Sequence, residues 1–90
     1  MKKFVIEREI SGVGAMSDEE LCGAAKTSND ALSQLAPRVQ WQHSYVTGNK
    51  TFCIYLADSE EAIQMHSQLS GFPANTITEV STIIDPTTAR

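Results

Sequence analysis

Trp41-Gln-His-Ser-Tyr-Val-Thr-Gly-Asn-Lys-Thr-Phe-Cys-Ile-Tyr-Leu-Ala57 reads as two strands folded about Gly48-Asn49. Trp41, His43 and Tyr45 alternate along the first run, and Cys53 and Tyr55 along the second. Side chains two apart on a strand share a face. This hairpin can therefore line a pocket with indole, imidazole, phenol and thiol groups, and register decides which of them meet. A two-residue loop pairs Tyr45 with Phe52 and His43 with Ile54, whereas an odd loop with a bulge pairs His43 with Cys53 and Trp41 with Tyr55. A slip of one residue moves every side chain to the opposite face. Gly-Asn suits a two-residue type II′ turn, but the sequence leaves both registers open.

Outward from the hairpin, the elements fall into a simple order. Lys2 to Ile10, rich in Phe, Val and Ile, reads as a strand that Ser11-Gly-Val-Gly14 breaks. Ser17-Asp-Glu-Glu20 is a capping box with acidic residues where the helix dipole favours them. Leu21, Ala24, Ala25, Ser28, Leu32 and Leu35 then recur at helical spacing until Pro37. The hairpin strands run Val39 to Thr47 and Lys50 to Ala57. Asp58-Ser-Glu-Glu61 reads as a second capping box, led by Asp58, opening a helix whose stripe is Ala62, Met65, His66 and Leu69. Gly71 closes that helix. Thr76 to Ile84 is a last strand.

The order β-α-β-β-α-β is the split βαβ, or ferredoxin-like, α+β arrangement: a four-stranded antiparallel sheet with both helices on one face. Residues 1–85 form a single domain, and 86–90 a C-terminal tail. Several strands are apolar or aromatic on both faces. Phe4 and Ile6 oppose Val5, and Phe52, Ile54 and Leu56 oppose Cys53 and Tyr55. A sheet with one wet face shows cleaner alternation, so a second subunit is expected against the open face, giving a homodimer of the dimeric α/β-barrel type.

Composition narrows the partners. The chain has 90 residues, 41% of them hydrophobic, and a net charge of −4 from seven basic and eleven acidic groups. That balance disfavours nucleic acid, whose binding rests on a basic footprint, and equally an anionic membrane surface. Glu7, Arg8 and Glu9 cut the first apolar stretch short, so it does not read as a signal peptide. No window approaches the roughly 20 apolar residues that span a bilayer. A cytoplasmic location is the expectation, with Cys22 and Cys53 as free thiols and Cys22 in the core.

Few residues carry chemistry. Trp41, His43, Tyr45 and Tyr55 are the candidates to line a small-molecule pocket. His43, Cys53 and His66 could together supply soft and borderline ligands for nickel, zinc or copper, although no HxxxH or CxxC spacing is present. Each has a plain structural alternative: a hydrogen-bonded histidine, a small buried thiol, a sheet-packing aromatic. Gly12-Val-Gly14 is a turn rather than a phosphate cradle, and no residues in this chain mark a catalytic centre by sequence.

The strands His43-Ser-Tyr-Val46 and Thr51-Phe-Cys-Ile-Tyr55, the helix start Asp58-Ser-Glu-Glu-Ala-Ile63 with His66, and Gly71-Phe-Pro-Ala-Asn75 before Ile77-Thr-Glu-Val80 resemble a family of small bacterial ferredoxin-like domains. The family is nominally of unknown function, and some members are described as nickel-binding. The resemblance runs from Phe4 to about Ile84. It implies a homodimer, with His43, Cys53 and His66 at recurring positions and Ni²⁺ as the first metal to consider. The expected function is binding or sequestration of a small ligand or divalent transition metal. The alternative is a small cofactor-free oxygenase or isomerase of the dimeric α/β-barrel type. An internal metal site would need the odd-loop register, with all three residues on the helix-covered side.

Overall fold

Period-two alternation builds the sheet and chooses its buried face. The computed structural model describes residues 1–90. It orders them as β1 (Lys2–Glu9), α1 (Asp18–Leu35), β2 (Val39–Val46), β3 (Lys50–Ala57), α2 (Glu60–Ser70) and β4 (Thr76–Glu79), with short 3-10 turns at Val13–Ala15 and Pro86–Thr88. The strands lie in the order β2-β3-β1-β4, every neighbouring pair antiparallel. This is the ferredoxin-like arrangement. On one face Phe4, Ile6, Val39, Cys53, Tyr55 and Ala57 meet Leu35, Ala62 and Ile63 from the helices. Ile6 and Ile63 are completely enclosed, each burial contributing about 1.5–3 kcal/mol. On the other face Val5, Phe52, Ile54 and Leu56 stay half-buried, with no helix over them.

The helix starts follow from their caps. Ser17 Oγ accepts from the Glu20 amide at 3.2 Å, and Glu20 Oε1 accepts from the Ser17 amide at 3.1 Å, which is the expected capping box. The second start differs from expectation by one residue. Ser59, not Asp58, is the N-cap of α2, accepting from the Ala62 amide. Asp58 turns away to Arg38, whose Nε lies 2.8 Å from Oδ2. The buried stripe of α2 is Ala62, Ile63 and His66, so Met65 and Leu69, expected on it, are exposed. Cys22 also faces solvent, because Leu21, Ala24, Ala25 and Ser28 take the inner side of α1.

The hairpin realises parts of both registers. At its tip Tyr45 lies opposite Phe52 and His43 opposite Ile54, as the two-residue loop requires. A bulge at Gln42 then restores Trp41 to a place opposite Tyr55. The extra residue lets Trp41 and Ser44 both face the helices. The turn is not type II′, since neither Gly48 nor Asn49 has positive φ. Hydrogen bonds hold it instead. Thr47 Oγ1 accepts from the Lys50 amide, and the Ile10, Gly12 and Gly14 amides donate to Asn49 O, Asn49 Oδ1 and Gly48 O at 2.9–3.0 Å. β4 stops at Glu79, opposite Phe4 of β1, its only neighbour, and well short of Ile84. Ile83 and Ile84 are left exposed.

Two glycines are required by this geometry. A Cβ at Gly14 would meet the Thr47 carbonyl oxygen at 2.5 Å and Gly48 Cα at 2.8 Å. Gly71 ends α2 with φ of 79°. Gly14→Ala is expected to destabilise the domain by about 1–3 kcal/mol, and Gly71→Val by about 1–2 kcal/mol. Chemical denaturation reads both, and unchanged midpoints would contradict these roles.

Candidate functional site

Between α1, the Val13–Ala15 turn and the helix-covered face of the sheet lies a cavity of about 250 Å³. Its walls are mainly apolar: Val13, Leu21, Ala24, Ala25, Trp41 and Phe72 contribute. Small residues create the space. Ala24 and Ala25 stand on α1 where larger side chains would reach the sheet, and Gly14 lets the turn sit tight against the hairpin tip. The polar groups in the wall are few, among them Arg8, Ser28, Ser44, Thr51 and Tyr55, with the thiol of Cys53 beside them. Apolar walls with a few placed polar groups are the usual build of a small-molecule site.

Arg8 is the unusual member. Phe4, Ile6 and Arg8 alternate onto the buried face of β1, and Arg8 is only 2% exposed. Its Nη1 donates to the Pro73 carbonyl at 2.8 Å, to Ser67 Oγ at 3.2 Å and to the Phe72 carbonyl at 3.4 Å. Its Nη2 is buried with no hydrogen-bond partner. The guanidinium carbon stands 5.9 Å from the centre of the Tyr55 ring. Burial raises the Tyr55 phenol above its usual pKa, opposed by the positive charge of Arg8.

His66 backs this group from α2. It is fully buried, its ring centre is 5.2 Å from that of Tyr55, and Nε2 lies 3.1 Å from Ser28 Oγ. Burial first, and the charge of Arg8 second, push its pKa from 6.5 down to about 4. A serine hydroxyl beside an imidazole has the outline of a nucleophile and its base. However, Nδ1 has no orienting partner, and a base with so low a pKa is weak at neutral pH. The arrangement suits a neutral buried wall better than proton transfer.

The sequence candidates divide between the two faces. Trp41 and Tyr55 line the cavity, Trp41 donating from Nε1 to Ser44 Oγ at 2.9 Å. His43 and Tyr45 do not. They sit exposed on the open face, His43 Nε2 3.1 Å from Tyr45 Oη. For the metal set, His43 is opposite Ile54, one parity step from Cys53. Cys53 is buried on the helix-covered face with Sγ 3.5 Å from Thr51 Oγ1, and His66 is held by Ser28. The structure therefore does not bring His43, Cys53 and His66 together. No group of three His, Cys, Asp or Glu side chains gathers anywhere in the chain as a metal cage. Arg8 and Ser28 are the site residues that sequence reasoning missed as such. Their signal was present, a single polar residue at an inward position of an otherwise apolar alternation (Arg8) or helical stripe (Ser28).

A family model described as nickel responsive protein SCO4226-like matches residues 4–80. Among solved structures, the crystal structure of SCO4226 from Streptomyces coelicolor A3(2) is similar with a TM-score of 0.77 and 18% identity, over 91% of this chain and 99% of that one. At that identity the likeness shows the fold. None of the curated proteins matches the chain.

The burial of His66 among Arg8, Tyr55 and Ser28 has a consequence for stability. An unfolded histidine takes up a proton below pH 6.5, whereas the folded one resists until about pH 4. Stability is therefore full above pH 6.5 and falls as the pH drops towards 4, by up to about 3 kcal/mol. Between pH 6.5 and 5, above the carboxylate range, His66→Gln should flatten the dependence of the melting temperature on pH. Equal slopes in the two proteins would contradict this assignment.

Proposed function

We propose that this chain, which belongs to the nickel responsive SCO4226-like family, is a homodimeric binding protein that takes a small, largely apolar molecule into the cavity between α1 and the sheet. The observation that carries this reading is the cavity itself, with mainly apolar walls and a few convergent polar groups. Its 250 Å³ exceeds the roughly 150 Å³ that admits benzene in an engineered core. Trp41, in the wall, is the sole tryptophan and reports occupancy. Monocyclic aromatic molecules, neutral and charged, should perturb its fluorescence at millimolar concentration. Ala25→Phe, which fills the cavity, should abolish the response. An unresponsive wild type, or a response that survives Ala25→Phe, would contradict the reading.

The dimer is supported by the open face, where Val5, Phe52, Ile54 and Leu56 lie side by side without a covering helix. A stable pairing there needs to bury at least roughly 1,000 Å². Light scattering at micromolar concentration should give a dimer, and Ile54→Asp should shift it to monomer. A monomeric wild type would overturn this part.

Nickel is a second reading, favoured by the description of the family and by His43, an exposed imidazole on that open face. One histidine is a single donor, so a site would draw further ligands from a second copy. Imidazole binds metal as the free base, so binding weakens in acid. In calorimetric titration with Ni²⁺, His43→Ala should weaken binding strongly and His66→Ala should change it little. The reverse order would place the metal in the core instead.

A further inference from the structure

The cavity holds a positive charge that nothing in the chain balances. The ion pairs of the protein are Lys2–Glu79, Arg38–Asp58 and Lys50–Glu7, all at the surface. Arg8 is in none of them, although it is among the most buried polar residues. A guanidinium stays charged in proteins, so it cannot escape burial by shedding its proton as a lysine can. Taking such an ion out of water is unfavourable unless it is paired and its donors are used. Here the three acceptors, Ser67 Oγ and the Phe72 and Pro73 carbonyls, all serve Nη1 and are neutral. Nη2 is left with none.

His66 cannot supply the missing charge, since an imidazole is neutral or positive. Tyr55 is held in its neutral phenol form by burial. The whole chain carries eleven acidic groups against seven basic ones, yet no carboxylate is within ion-pair distance of this cation. The group beside it in space is the cavity, whose wall Arg8 helps to form and whose remaining surface is mostly hydrocarbon.

We infer that the ligand of this cavity is a small monocarboxylate with an apolar body, its carboxylate accepting from the Arg8 guanidinium and its hydrocarbon part lying among Val13, Leu21, Ala24, Ala25 and Trp41. The inference rests on the cavity reading above and adds the charge of the occupant. An arginine gives a carboxylate charge-assisted hydrogen bonds, roughly twice as strong as neutral ones and stronger still away from water. A neutral alcohol of the same shape fills the same hydrocarbon walls but leaves the cation unpaired. Ser28 and Tyr55, both in the wall beside Arg8, offer hydroxyls for the second carboxylate oxygen.

The test compares phenylacetate with its neutral counterpart 2-phenylethanol, read by Trp41 fluorescence and by calorimetry. In the wild-type protein phenylacetate should bind about tenfold or more tightly than the alcohol. Arg8→Met should remove that preference while still admitting the alcohol, and Arg8→Lys should retain part of it. Ala25→Phe should lose both ligands. Equal affinity for acid and alcohol in the wild type overturns the inference and leaves the cavity reading standing. Binding of neither overturns both. The wild-type comparison decides even if Arg8→Met does not fold.

Discussion

Burial of Arg8 beneath the α2–β4 connection organises the working half of this domain. A strand that alternates Phe4, Ile6 and Arg8 inward places a cation where the pattern calls for a third hydrocarbon. Its Nη1 fastens Ser67 of α2 and the Phe72 and Pro73 carbonyls to β1. That anchor leads the chain into β4, where the Asn75 amide meets the Glu7 carbonyl and Asn75 Oδ1 accepts from the Glu9 amide. The same charge adds to burial in keeping His66 neutral, and it stands over the Tyr55 ring. A purely structural clasp could be built from neutral groups at less desolvation cost. Nη2 is left without a partner in that clasp, which is the observation the proposed anion site is built on.

The cavity depends on that group and on two small devices elsewhere. Ala24 and Ala25 leave space between α1 and the sheet, and the bulge at Gln42 turns Trp41 back to the inner face alongside Ser44. Without the bulge, the two-residue tip would send Trp41 to the open side with His43 and Tyr45. One extra residue therefore decides that the indole belongs to the cavity and the imidazole to the outer surface.

Much of the fold was legible because independent local signals agreed on it. Ser17 with Glu20, the Gly71 terminator and the alternation of β1 and β3 all point to one β-α-β-β-α-β order. What was not legible depended on tertiary partners. Asp58 is as good a cap as Ser59 by residue type, and only the Arg38 ion pair draws it away. The apolar run to Ile84 has strand propensity to its end, yet its ladder with β1, its only neighbour, ends at Glu79 opposite Phe4. The turn chemistry of Gly48-Asn49 was overridden by amides donated from the Ile10–Gly14 segment. For the site, the bulged hairpin splits the aromatic set, with Trp41 and Tyr55 in the cavity wall and His43 and Tyr45 on the open face. The metal set was separated by parity, which no count of spacing across an unfixed hairpin could decide. Arg8 escaped notice because flanking Glu7 and Glu9 made it look like part of a solvated charge cluster.

The most direct test of this account is a crystal structure of the protein grown with phenylacetate. The account places the phenyl ring between α1 and the sheet beside Trp41, with a carboxylate oxygen about 2.7–2.9 Å from a nitrogen of the Arg8 guanidinium. A ligand bound outside that cavity, or inside it with its carboxylate turned away from Arg8, would contradict the claim that the buried cation is there to receive an anion.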